Sequence, residues 1–212
     1  MKIAVVLAHP DHESFNASIA RACIGELARL GHQGLLRDLY WIDFDPRLKR
    51  GEIPRDGGYA PAPDVVEERA KLADVDAFVF VYPLWFNAPP AILKGYVDRV
   101  FSMDFGYAPD FGGTRPLLGG KKLVSFTTSG APDHWVRSTG ALDALLNIFD
   151  FHLSGVCGLS TSHTHFGGVI HNLTPEAGED ILQQVRDTLA RQFPTGAQAV
   201  GQRIDDPLLR CV

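Results

Sequence analysis

Basic charge is in short supply in this 212-residue chain, which sets 20 Lys and Arg against 25 Asp and Glu for a formal net charge of −5. That balance offers no electrostatic footprint for a polyphosphate backbone, so nucleic acid is not expected as a partner. Cysteine is scarce as well. Cys23, Cys157 and Cys211 are an odd, widely spaced set with no CxxC pair, which argues against a disulfide framework or a thiol zinc or redox motif and predicts three free thiols. Long apolar runs are missing too: the opening stretch 1–8 is cut off by His9-Pro10-Asp11, too early for a signal peptide core or a membrane span. A cytoplasmic location is expected. The loop after that stretch contains neither GxGxxG nor GxxxxGK, so a dinucleotide fingerprint and a triphosphate loop are both absent.

What the chain does have is alternation. Residues 2–8 form a continuous apolar run, the mark of a strand buried on both faces. From Ser14 to Leu30, apolar residues recur at helical spacing and Gly31 supplies a stop. A weaker strand over 33–38 precedes a connection over 39–63, rich in Pro, Gly and Asp, whose length suggests a function or an edge excursion. Asp64 is placed to cap a helix reaching about Ala73, and 76–82 reads as another buried strand stopped by Pro83. A helix opens near Pro89-Pro90 with Ile92, Leu93, Tyr96, Val97, Val100 and Phe101 on one face. Further strands are predicted over 123–127 and 155–160, and further helices over 139–151 and 175–193. This order predicts an α/β fold, a flavodoxin-like doubly wound parallel five-stranded sheet ordered 2-1-3-4-5 with helices on both faces. One domain over 1–193 and a tail over 194–212 are expected. Ligands of such sheets bind beyond the carboxyl ends of the strands, at the switch point between strands one and three.

Three loops meet that edge. The first, running from His9 to Asn16, enters a helix N-terminus whose free N–H groups and dipole favour a phosphate, and Ser14 and Asn16 add short polar side chains. Ser14 reads equally well as a plain N-cap, and His9 alone reads as structural. The second, Pro83-Leu84-Trp85-Phe86-Asn87, sets two aromatics at the functional edge, where apolar walls and backbone polar groups suit an isoalloxazine ring. The competing reading has Trp85 and Phe86 cover the core. The third, Thr127-Thr128-Ser129-Gly130, supplies small donors and a glycine that admits close approach to a planar ligand, and taken alone it reads equally well as an ordinary turn.

With these residues in view, the chain resembles the NAD(P)H:quinone oxidoreductase family, also called DT-diaphorase, and its shorter bacterial relatives, which include an ancillary protein of a potassium efflux system. The likeness covers about residues 2–193. It is carried by Ala8-His9-Pro10, Ser14-Phe15-Asn16, Pro83-Leu84-Trp85-Phe86, Pro90-Ala91-Ile92-Leu93-Lys94-Gly95, Asp98-Arg99-Val100-Phe101, Gly120-Lys121-Lys122, Thr127-Thr128-Ser129-Gly130 and Cys157-Gly158. The resemblance implies that His9, Ser14, Phe15 and Asn16 hold a flavin's phosphate arm. It also implies that Pro83 to Asn87 and Thr127 to Gly130 frame the isoalloxazine. It further implies FAD as cofactor with FMN as the alternative, NADPH or NADH as hydride donor, and a quinone-like acceptor reduced by ping-pong transfer. A homodimer follows from it, with each site at the interface and a substrate pocket of Trp85, Phe86, Tyr107, Trp135 and His171, although His171 reads equally well as a surface-loop residue.

The chain departs from the family in places. A Gln between Leu84 and Trp85 is missing, Ser129 stands where Thr-Thr-Gly-Gly has a glycine, and Asp133-His134-Trp135 replaces a Tyr and His that support charge on the reduced flavin. His134 and the Gly130 N–H are the expected catalytic groups. Other readings are set beside this one. His163 and His165 alternate and can reach one side of a strand as zinc ligands, but no third ligand is evident and no metal is expected. A Ser-His-Asp hydrolase is disfavoured because GxSxG is absent and Ser129 lies outside a nucleophile elbow. A flavin-binding regulatory subunit of a transporter, or an azo or nitro reductase, are the alternatives.

Overall fold

The computed structural model describes residues 1–55, 58–169 and 173–195. In chain order the elements are β1 (Lys2–Leu7), α1 (Phe15–Arg29), β2 (Gln33–Asp38), α2 (Pro63–Leu72), β3 (Ala77–Pro83) and α3 (Ala91–Val100). A hairpin of β4 (Tyr107–Asp110) and β5 (Gly113–Pro116) follows, then β6 (Lys122–Ser129), α4 (Asp133–Ser138) and α5 (Ala141–Leu145). The chain continues through a π-helical turn (Leu146–Phe151), α6 (His152–Cys157), β7 (Ser160–Gly167) and α7 (Pro175–Gln192).

The apolar runs become a five-stranded parallel sheet ordered β2-β1-β3-β6-β7, which is the expected arrangement. Successive side chains of a strand point to opposite faces, so each run divides between two cores. Ile3, Val5, Val79, Val124, Phe126 and Phe166 pack against Ile19, Cys23 and Leu27 of α1 and Val185 and Leu189 of α7. Ala4, Val6, Phe78, Phe80, Tyr82 and Leu123 pack against Leu93, Tyr96 and Val100 of α3 and against Leu142, Leu145, Phe149 and Leu153.

The connection over 39–63 is an edge excursion pinned to α2 and α3. Arg99 is fully buried, and its guanidinium holds Glu52 at 2.8 Å, Asp64 at 2.7 Å and the Asp45 carbonyl at 2.5 Å. A buried charge left unpaired would cost several kcal/mol, about 3–5, so these acceptors fix the segment's path. Gly95 of α3 sits so close to Pro46 that a Cβ there would strike its backbone, which lets helix and connection meet main chain to main chain.

Two expectations over 139–160 are corrected. The single helix over 139–151 is α5 and a π turn, started afresh by the left-handed Gly140 and preceded by the unforeseen α4. The strand expected over 155–160 is the end of α6 and a loop, and the fifth strand is Ser160–Gly167. Its Ser, Thr and His residues lack an apolar run because it is an edge strand that bonds β6 partly through polar side chains. The β4–β5 hairpin was not foreseen either. Cys23 and Cys157 are free and buried, and burial raises both thiols, Cys157 to about 11. Cys211 and the tail from 196 lie outside the described residues. Among the described residues no helix is long and apolar enough to cross a membrane.

Candidate active site

The carboxyl ends of β1, β3 and β6 draw the three loops together. Ser14 caps α1 by accepting the Ala17 N–H at 3.2 Å. The N–H groups of Phe15 and Asn16 then stand in a first turn that gives them no intrahelical partner, as an anion site requires. The side chains behave differently from the expected phosphate ligands. Phe15 packs against the α1–α7 core. Asn16 is buried and donates to Thr128 Oγ1 at 2.9 Å, tying α1 to β6, while its Oδ1 is buried with no protein partner. His9 accepts the Asp11 N–H on Nδ1 at 3.0 Å and lies 5.9 Å, ring to ring, from Trp85, so the first and second loops touch.

The second loop is a two-residue turn closed by reciprocal Trp85–Ala88 backbone bonds of 3.1 Å. Phe86 and Asn87 both have positive φ, 50° and 56°, the signature of a type I′ turn. Asn adopts that conformation readily. Phe does not, and the strain costs about 1–2 kcal/mol. Burial does not offset it, because the Phe86 ring is fully exposed and Trp85 is about half exposed. The core-cover reading of these two aromatics is therefore corrected: Phe86 stands out in solvent in a strained conformation and Trp85 is only partly covered. The turn is braced by Asn87 Nδ2 donating to the Ala141 carbonyl at 2.7 Å and by Leu84 N–H donating to the Thr128 carbonyl at 2.7 Å.

In the third loop the side chains are committed inside the protein. Thr127 Oγ1 lies between His163 Nε2 at 2.8 Å and His165 Nδ1 at 2.9 Å. Ser129 Oγ donates to the Ala131 carbonyl at 2.8 Å and meets His165 Nε2 at 3.1 Å. His163 Nδ1 lies 2.5 Å from the fully buried Asp150 carboxylate. With Thr128 engaged by Asn16, the loop offers a planar ligand its backbone and the exposed Gly130. The two strand histidines do reach one side, where Thr127, Ser129 and Asp150 occupy them. A hydrolytic triad is not formed, because the ring beside Ser129 has a threonine and not a carboxylate on its other nitrogen.

Residues 1–193 match the family described as a flavodoxin-like fold. The chain belongs to that family. It is 29% identical over 184 residues to an uncharacterized NAD(P)H oxidoreductase of Haemophilus influenzae, covering 86% of this chain and 91% of that one. It is 31% identical over 155 residues to the rat ribosyldihydronicotinamide dehydrogenase [quinone], covering 65% and 67% of the two chains. The NAD(P)H:quinone oxidoreductase structure from Methanothermobacter marburgensis superposes with a TM-score of 0.76 at 26% identity, over 89% of this chain and 96% of that one.

Of the remaining candidates in this flavodoxin-like chain, His134 and Trp135 stand exposed on α4. That helix is seated against β7 because Gly167 lets the Asp133 backbone approach where a Cβ would collide. Tyr107 lies apart from the three loops. It lines a groove of about 260 Å³ between α3, the π turn and α6, with Val97, Ile148, Phe149 and His152. His171 lies outside the described residues. Sequence reasoning missed Asp150 altogether. Its signal was a carboxylate inside the apolar set Leu142, Leu145, Leu146, Phe149 and Leu153, where helical spacing calls for a core residue.

Proposed function

We propose that the chain passes reducing equivalents from NAD(P)H to a quinone-like acceptor through a flavin held at the carboxyl edge of β1, β3 and β6. The observation that carries the reading is the Trp85–Ala88 turn, which holds an exposed Phe86 in a left-handed conformation and brings Trp85 against His9 of the first loop. The relatives carry NAD(P)H and quinone chemistry in their names, and this chain is a flavin-dependent oxidoreductase of the same kind. The residues present fit the group: unpaired N–H donors and the orphaned Asn16 Oδ1 at the first loop, an aromatic wall at the second, and bare backbone with Gly130 at the third.

When bound, the flavin supplies hydride acceptance and donation. Trp85 and Phe86 would wall the bound group, where donor and acceptor would be oriented in turn, in ping-pong order. The Gly130 N–H and the exposed His134 of α4 are the groups that would oppose negative charge developing on a bound flavin. FAD is the cofactor we favour over FMN, given the complete Ser14-Phe15-Asn16 motif and the pinned 39–63 connection. The exposed Ile148 and Phe151 beside the Tyr107 groove support a homodimer in which Tyr107 completes the partner's substrate pocket. The reading places the protein in the cytoplasm.

The test is to purify the protein, record the blue flavin absorption, identify the released cofactor by mass and follow NAD(P)H consumption with menadione. Stoichiometric FAD and rapid turnover support the proposal. A chain that binds neither FAD nor FMN overturns it, and bound flavin without turnover on quinone, azo or nitro acceptors transfers the reading to a non-catalytic module.

A further inference from the structure

The buried polar column between β6, β7 and the π turn has a direction that its hydrogen bonds fix. A serine hydroxyl has one proton, and that of Ser129 goes to the Ala131 carbonyl. Ser129 Oγ must therefore accept from His165 Nε2–H. Burial lowers His165 to about 4, with His163 and Arg137 contributing and Asp133 opposing, so the ring is neutral at neutral pH and its Nδ1 is an acceptor. Thr127 gives its single proton to that Nδ1 and must accept from His163 Nε2–H on the other side. With His163 Nε2 donating to Thr127, a hydrogen bond from His163 Nδ1 to Asp150 Oδ2 requires one further proton on that pair. The chain starts at a fully buried carboxyl group and ends at Ser129, the last residue of β6, next to the exposed Gly130 at the site's edge. The carboxyl group sits in a π turn, a rare distortion that recurs at functional sites.

We propose that Asp150, His163, Thr127, His165 and Ser129 form a proton relay that delivers one proton to the flavin site. The inference rests on the oxidoreductase reading, in which a quinone-like acceptor takes a hydride equivalent from NAD(P)H and one proton. That proton is what the relay supplies. Ser129 Oγ–H turns from Ala131 to the group being reduced and gives up its proton. Ser129 takes the proton of His165 Nε2, His165 Nδ1 takes that of Thr127, Thr127 takes that of His163 Nε2, and His163 Nδ1 takes the one shared with Asp150. Every hydroxyl and ring ends neutral, Asp150 is left as the carboxylate, and one proton taken up at Ser129 and passed back along the same bonds resets it. The charged and titratable groups packed on the column are Tyr82 from β3, whose phenol is raised by burial and by Asp150, and Asp133 and Arg137 from α4. The step asks nothing of Thr127 as a nucleophile, which suits a side chain that water does not reach.

The relay is tested first without cofactor, by NMR of the chain carrying isotope-labelled histidine. Both rings should show the Nε2–H form at neutral pH, with a strongly deshielded proton at His163 Nδ1 that Asp150→Asn abolishes. Nδ1–H at His165 would overturn the assigned direction whether or not the protein binds a flavin. In the loaded enzyme, stopped flow follows reduction by NAD(P)H and transfer to menadione separately for Asp150→Asn and Ser129→Ala, and the second step should be the more affected. The same variants should slow transfer to menadione about 10-fold and abolish its solvent deuterium isotope effect, and Thr127→Val should do the same with rescue by Thr127→Ser. Should Asp150→Asn fail to fold, Ser129→Ala carries the test, since it truncates one hydroxyl at the strand end. An unchanged rate and isotope effect in the variants would overturn the relay while leaving the oxidoreductase reading intact, whereas absence of bound flavin in the parent protein would remove that reading instead.

Discussion

The two faces of the β6–β7 pair are both buried and are made of opposite materials. On one side Val124, Phe126 and Phe166 meet α1 and α7, with the two phenyl rings stacked at 12° and 6.4 Å between centroids. On the other, Ser125, Thr127, Ser129, His163 and His165 lie under the π turn and α4. Apolar burial is non-directional and contributes about 25 cal/mol per Å². A polar column gains little net stability from its bonds, and a break in it is costly. The apolar face thus holds the sheet together, and the polar face spends a stretch of interior on a chain of hydrogen bonds that ends at Ser129, beside the candidate site.

That contrast breaks most visibly on the apolar side. Phe126→Ala removes a fully buried ring and should cost about 3–5 kcal/mol in urea unfolding, while the histidine tautomers stay as they are. A loss below about 1 kcal/mol would deny that this face carries the stability.

The polar face should announce itself through pH. His165 is held near 4 in the folded chain by burial, and an unfolded histidine titrates near 6.5, so between those values the unfolded state binds the extra proton. Stability is therefore full above about pH 6.5 and falls as pH drops towards 4, by about 3 kcal/mol in all. Glu52 and Asp64, held low by Arg99, begin to add their own losses only below about pH 4.5, so the window above that isolates the histidine. Unfolding free energies measured across this window should slope in the parent and flatten in His165→Gln; equal slopes would assign the proton elsewhere.

The same contrast explains what could be read from the chain alone. β1 and β3 were legible because both of their faces demand apolar residues, which leaves an uninterrupted run. β7 was displaced by several residues because Ser160 to His165 satisfies one face with hydroxyls and imidazoles, a pattern that looks like a loop. That the loops at 9–16, 83–87 and 127–130 meet at one edge was legible because the strand order alone brings the carboxyl ends of β1, β3 and β6 together. Their inner workings were not: Asn16, Thr127 and Ser129 are spent on bonds to partners 36 to 112 residues away. Pairings over such distances leave no local trace. His163 and His165 were singled out by their spacing, yet the carboxylate beside His163 comes from Asp150 in a π turn, within a stretch that read as ordinary helix.

A smaller effect separates bonded from unbonded members of the polar face. Thr127→Val keeps the shape and leaves His163 Nε2 and His165 Nδ1 without a buried partner, which should cost about 1–3 kcal/mol. Thr127→Ser restores the hydroxyl and should recover most of that loss by the same unfolding assay.

The smallest effect is the most discriminating. Ser125 is fully buried on the polar face, in register with His163, yet no protein group bonds its hydroxyl. Were polarity itself what the face requires, Ser125→Ala would hurt as Thr127→Val does. If only the directed chain matters, deleting an unpaired hydroxyl removes a desolvation cost along with a little packing, and the change should stay within about 0.5 kcal/mol with the slope between pH 6.5 and 4 preserved. Parallel denaturant curves of the two variants decide it: a loss at Ser125 as large as that at Thr127 would dissolve the distinction between the relay and the polar lining around it.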